Sequence, residues 1–186
     1  MPPRQPHLKA EFALWSAGKK LVAGVDEVGT GPLCGPVVAA AVLVKPHTRK
    51  IKGVRDSKTL SSAQRERLVE AIKERSLAWG IGAASVAEIE RLNVRNAAAL
   101  AMRRALRRLP AVDHVLIDGQ KIRDLEAHIG PYTPIVKGDA SSYAIACASV
   151  LAKVTRDRLM RRLALRYPGY GWEHNAGYAT RDHVAG

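Results

Sequence analysis

The chain has 186 residues, 47% hydrophobic and 25% charged, a balance that fits one ordinary globular domain with a real core. No apolar run is long enough to span a membrane, since residues 36–44 fall well short, and the first twelve residues hold no hydrophobic signal core, so a cytoplasmic location is the default. Thirty basic against seventeen acidic residues leave a formal charge of +13, which points to a polyanionic partner, most often nucleic acid.

In chain order, residues 19–28 (KKLVAGVDEV) read as a first strand, followed by a Gly- and Pro-rich turn, GTGPLCGP. Residues 37–44 (VVAAAVLV) read as a buried second strand, close enough to pair antiparallel with the first. A polar loop follows. Ser61 or Ser62 can cap a helix over residues 63–76, whose apolar positions recur at helical spacing. Residues 77–85 predict a third strand. Residues 86–92 and 94–109 predict two helices, with Asn93 as a cap between them and Pro110 as the stop. Residues 113–119 and 132–139 predict strands four and five, and residues 141–167 one long helix. The tail from about residue 167 is turn-rich. Strands and helices in this order predict a mixed α/β sheet, with no internal repeat and no linker dividing residues 1–186.

Cys34 and Cys147 lie among small apolar residues and read as buried free thiols rather than a disulfide or metal ligands. The basic residues are grouped. Arg95, Arg103, Arg104, Arg107 and Arg108 share one predicted helix, and Lys153, Arg156, Arg158, Arg161, Arg162 and Arg166 share another. Neither helix has the Trp- and Phe-rich face of a membrane anchor, which leaves nucleic acid as the favoured polyanion. Asp157 faces Lys153 and Arg161 at i±4 and reads as a helix pair.

Acids are depleted in strands, yet four stand at the ends of predicted strands. Asp26 and Glu27 close the first, Asp118 closes the fourth and Asp139 follows the fifth. Asp139 also stands where it could cap the long helix. If the strands bearing Asp26 and Asp118 are neighbours, all four acids meet at one place. Clustered carboxylates repel one another unless a cation offsets them, and hard oxygen donors of this kind suit Mg²⁺ or Mn²⁺. Two such ions would activate water and stabilise the leaving oxygen of a phosphodiester. Gly29 and Gly31 allow a backbone to approach a bound strand closely, although a tight turn explains them equally well.

These motifs resemble those of the ribonuclease HII family, over nearly the whole chain. GVDEVGTGPLCGPVVAAAVL is similar to the family's opening strand, DSKTLS to its basic loop and VLIDG to the strand bearing its third acid. VKGDASSYAIACASVLAKVTRD is similar to the helix after its fourth acid, and YPGYGWEHNAGYATRDH to its substrate-reading tail. The resemblance implies an RNase H-like fold with a central mixed five-stranded sheet flanked by helices. It implies an endonuclease that uses two divalent ions, Mg²⁺ or Mn²⁺, to cut RNA in RNA·DNA hybrids and to incise on the 5′ side of a ribonucleotide embedded in duplex DNA. Asp26, Glu27, Asp118 and Asp139 match its catalytic, metal-holding carboxylates. Gly29, Thr30 and Gly31 match its Gly-Arg-Gly, whose backbone reads the ribose 2′-hydroxyl. Thr30 departs from that pattern by lacking a cationic side chain. Lys58 and Lys137 match phosphate-contacting positions. Tyr170 matches the tyrosine at the RNA–DNA junction, with Tyr178 the nearby alternative. His174 is a further loop candidate, more often a surface hydrogen-bonder. The family continues past HVAG with a further basic helical segment, so the tail reads as truncated. A monomer is expected. The competing readings are a catalytically silent hybrid-binding module and another two-metal nuclease of the same fold.

Overall fold

In the computed structural model, which describes residues 5–186, the β1–β2 pair is the centre of construction. β1 (Val22–Val28) and β2 (Val37–Val44) pair antiparallel, Val22 opposite Val44 and Val28 opposite Val38. Their β-branched, apolar composition suits strands covered on both faces, and β2 is buried along its whole length. β3 (Ala78–Ala84) adds antiparallel to β2, while β4 (His114–Asp118) and β5 (Tyr132–Ile135) add parallel on the other side of β1. The sheet order is β3-β2-β1-β4-β5, the mixed five-stranded sheet that the sequence implies.

Two helical layers cover the sheet. On one face lies the long helix α6 (Tyr143–Arg166), backed by α2 (Ser62–Arg75) and α1 (Lys9–Ser16). On the other lies α4 (Val94–Leu106), preceded by α3 (Val86–Leu92). α6 crosses β1 so closely that a Cβ at Gly24 would come within 2.2 Å of the Ala144 backbone, which is why the strand needs glycine there. The caps are local. Ser61 forms a capping box with Gln64, and Asn93 Oδ1 accepts from the Asn96 N–H at the start of α4. Three short helices, α5 (Glu126–Ile129), α7 (Trp172–Asn175) and α8 (Arg181–Ala185), complete the chain.

α1 has no counterpart among the sequence expectations. Its signal is an Ala- and Leu-containing stretch ended by Gly18, which has a φ of 84°. Part of the N-terminal stretch read as lacking a signal core, residues 1–4, lies outside the described residues. Among the described residues, no helix is long and apolar enough to cross a membrane. Cys34 and Cys147 are both free, but only Cys147 is buried; Cys34 is half-buried because it lies in the β1–β2 turn and not in a packed element.

Candidate active site

β1 and β4 run side by side in the same direction with Val25 opposite Ile117. Asp26 and Asp118 stand one residue further on, so both carboxylates reach the same end of the sheet. The chain leaving β5 makes a 3₁₀ turn, Gly138–Ala140, that carries Asp139 to the same place. One carboxylate oxygen from each of Asp26, Asp118 and Asp139 lies within 4.8 Å of the others. Hydrogen bonds fix the arrangement: the Gly138 N–H donates to Asp118 Oδ1 at 2.6 Å, and the Glu27 N–H to Asp26 Oδ1 at 2.8 Å. Lys137 enters the turn with a φ of 55°, a left-handed conformation uncommon outside glycine. Asp139 does not cap α6; Ser142 does, accepting from the Ile145 N–H.

Glu27 is placed differently. Successive strand side chains point to opposite faces, so with Asp26 on the α6 side, Glu27 turns to the α4 side. There it lines a cleft of about 330 Å³ with Thr30, Arg95, Asp118 and Gln120. The four acids are therefore three clustered oxygens with Glu27 beside them.

The cluster resists ionisation. Burial, then Glu27 and Asp118, push the Asp26 carboxyl well above its ordinary value, with a Ser149 hydrogen bond partly opposing. Burial and Asp118 push Glu27 up to about 7. Burial and Asp118 also raise Asp139, with Lys58 opposing. The Lys58 ammonium stands 3.8 Å from Asp139 but is 78% exposed, too well hydrated to neutralise the cluster. Closely spaced hard oxygen donors with uncompensated charge fit a divalent cation.

Two loops frame the acids. Lys58 sits in a 3₁₀ turn where its N–H donates to Asp56 Oδ1, and Ser57 is tied to α6 by a buried hydrogen bond from Ser149 Oγ, 2.9 Å. The β1–β2 turn is held by Arg156 of α6. This guanidinium, fully buried, donates to the carbonyls of Pro36 (2.9 Å), Cys34 (2.9 Å) and Ala176 (2.7 Å). It thereby ties the turn and the C-terminal tail to one helix. Gly29 has a φ of 106°, and a Cβ there would lie 2.5 Å from Pro36 O and 2.6 Å from Arg156 Nε. At Gly31 the nearest atom to a Cβ would be Tyr178 Cε1 at 3.9 Å. Leu33 N–H donates to Gly177 O, which seats Tyr178 against the turn. Tyr178 is 42% exposed, with the Lys153 ammonium 5.9 Å from its ring centroid. Tyr170 instead stacks on Trp172 at 5.0 Å, with His183 edge-on. Lys137 is exposed, two residues before Asp139 in the chain. His174 is exposed and its nearest charged partner is Glu173, at 3.8 Å. Asp157 pairs with Lys153 as expected, and with Arg65 rather than Arg161. Arg156 is the residue that sequence reasoning missed: one arginine in a basic row gives no sign of burial.

Carboxylates gathered where adjacent parallel strands end, in a strongly basic chain, define a metal-dependent phosphodiester hydrolase of the RNase H-like fold. Residues 23–186 match the family model described as Ribonuclease HII. A ribonuclease HII of Synechococcus sp. (strain JA-3-3Ab) is 50% identical over 181 residues, covering 96% of this chain and 80% of that protein. The crystal structure of ribonuclease H2 from Pyrococcus horikoshii OT3 superimposes with a TM-score of 0.75 at 26% identity, covering 88% of this chain and 83% of that one. A Bst-RNase HIII structure in complex with Mn²⁺ matches with a TM-score of 0.68 at 26% identity, over 86% of this chain and 59% of that one. The chain belongs to the ribonuclease HII family, and it is a metal-dependent nuclease.

Proposed function

We propose that this enzyme hydrolyses the RNA strand of RNA·DNA hybrids and incises on the 5′ side of single ribonucleotides in duplex DNA, with two divalent ions, Mg²⁺ or Mn²⁺. The observation that carries this reading is the triad of carboxylate oxygens within 4.8 Å, with the glycine turn and Tyr178 seated next to it. Asp26, Asp118 and Asp139 would hold the ions, with Glu27 completing the set from the α4 side. Bound there, such ions polarise the scissile phosphate and supply a water of lowered pKa. The chain's own task is to hold its carboxylates close together, where a bound cation would offset their mutual repulsion, and its substrate in register. The main-chain groups of Gly29, Thr30 and Gly31 face the ribose 2′-hydroxyl, the one group that distinguishes RNA from DNA at a given nucleotide. Tyr178 closes the other side of that sugar, a role its place beside Gly31 supports better than Tyr170's place in the aromatic stack. Lys58, beside Asp139, and Lys137, exposed at the entry to the same turn, take backbone phosphates. One copy of the chain supplies all of these groups, so residues 1–186 act as a single catalytic unit, and a monomer suffices.

The test is a labelled duplex with one ribonucleotide, incubated with Mg²⁺, with Mn²⁺ and with EDTA. Cleavage 5′ of the ribonucleotide with either metal and none in EDTA is expected. Cleavage of an all-DNA duplex at the same rate would overturn the reading. Binding without cleavage in either metal would favour a silent hybrid-binding module.

A further inference from the structure

We infer that the groove between α4 and the β4–α5 connection is a track for the substrate backbone on one side of the cut, and that Arg95 is its first phosphate contact. The inference rests on the function proposed above. Arg95 lines the cleft shared by Glu27, Thr30 and Asp118, and it also lines the adjoining groove with Lys121 and Arg123. That groove runs on, through Asn96 and Arg123, into a further hollow lined by Arg91, Arg103 and His128. A continuous surface therefore leads from the acid cluster along α4.

Its charges are unevenly compensated. Glu88 is taken up by Arg104, and Asp124 and Glu126 lie near Arg123 and Lys121. Among the described residues, Arg91, Arg95 and Arg103 have no carboxylate partner, and Arg103 Nε is buried with no hydrogen-bond partner at all. Arg95 is placed against local electrostatics. It lies in the first turn of α4, where the helix dipole disfavours a cation, and that turn contains no acid to offset it. Its guanidinium is nevertheless held across the cleft by donating to Lys121 O at 3.1 Å. An exposed guanidinium with no carboxylate partner, tethered by one hydrogen bond beside the acid cluster, suits a phosphodiester, whose charge it meets with a planar fork of donors. Lys58 stands on the other side of the acids, next to Asp139, so the scissile phosphate would have one cation on each flank.

The experiment measures duplex binding in EDTA and cleavage in Mg²⁺. Substrates carry one ribonucleotide and are shortened stepwise on the 5′ or the 3′ side. For the wild type, shortening one flank should weaken binding more than shortening the other. Arg95→Gln should raise Kd and KM about tenfold or less, lower the rate at saturation far less, and reduce the salt slope of log K by about one. It should also abolish the extra sensitivity to the critical flank, and Arg95→Lys should restore part of the affinity. Arg107→Gln, which removes the same charge from outside the groove, controls for net charge. Arg95→Gln with unchanged Kd and flank dependence overturns the inference, as does equal displacement of duplex by polyglutamate, which would mark the groove as a site for acidic protein. If the wild type binds duplex but cuts none, the proposed activity fails while the binding series still decides on Arg95.

Discussion

Gly29 and Gly31 stand two residues apart and are needed for different reasons. A side chain at Gly29 would strike Pro36 O and Arg156 Nε, on a backbone with a φ of 106°. A side chain at Gly31 meets only Tyr178 at van der Waals distance. Gly29→Val should therefore lower Tm and loosen the turn. Gly31→Val should leave Tm nearly unchanged and raise KM, because it fills the space that the proposed function assigns to the sugar. Thermal unfolding beside KM separates the two, and equal Tm losses would refute the distinction. Asp118→Asn keeps the carbonyl that accepts from Gly138 N–H but removes the charge. It should cut cleavage by orders of magnitude while duplex binding survives; a near wild-type rate would remove Asp118 from the catalytic set. Glu27 gives the pH test. A carboxyl whose pKa rises on folding, here from 4.5 to about 7, favours the fold fully below its ordinary value and loses that contribution as pH rises through about 7. Metal-free wild type should thus lose Tm relative to Glu27→Gln between pH 4.5 and 7, and Mg²⁺ or Mn²⁺ should raise Tm more at pH 8 than at pH 5. Parallel Tm profiles for the two proteins would contradict the raised value.

At the scale of elements, α6 does more than its sequence discloses. Read alone, its row of basic residues suggests a face turned to nucleic acid. In the fold, Arg158 and Arg161 both hold Glu66 of α2, Lys153 holds Asp157, and Arg156 is buried on three carbonyls. A helix face can be read from periodicity, but which basic side chains find acids on another element cannot. Arg156→Lys cannot keep the three-way fork and should cost about 3 kcal/mol. It should also raise KM, because the turn and the tail lose their common anchor; urea denaturation beside kinetics would show both. At the other end of α6, buried Glu11 of α1 accepts from Ser142 Oγ at 2.7 Å and from the Ala144 N–H at 2.9 Å. Glu11→Ala should cost about 1–3 kcal/mol, with Glu11→Gln recovering part by keeping one acceptor. α1 was hard to foresee because its partners, the Ser142 and Ala144 groups that Glu11 holds and the core that Leu14 and Trp15 pack on, lie mostly far away in sequence.

For the whole molecule, the net charge of +13 overstates what a duplex meets. Arg104, Lys153, Arg158 and Arg161 are committed to acids within the fold. Binding should still weaken steeply with salt, but the slope should report only the exposed cations that no close ion pair holds. Lys58→Gln should reduce that slope by about one, and Arg158→Gln should barely change it. Equal effects from the two would mean that the ion pairs to Glu66 open on binding.

The sequence by itself determined the five strands to within a few residues, the major helices with the caps Ser61 and Asn93, and the acids Asp26, Glu27 and Asp118 at strand ends, because these follow from local periodicity, turn chemistry and the rarity of acids in strands. Asp139 proved to sit in a turn beyond its strand, and Ser142 took the capping place at α6. It also carried enough motif to bring Gly29–Gly31, Lys58 and Asp139 into one site. The tertiary structure decided the rest. Strand alternation turned Glu27 away from the other three acids. The fold seated Tyr178, and not Tyr170, beside the glycine turn through the bond from Leu33 to Gly177. It buried one arginine of a basic row while leaving Arg95 unpaired beside the acids. Each of these outcomes depends on partners distant in sequence, and pairing across such distances is set by how the two helical layers close on the sheet.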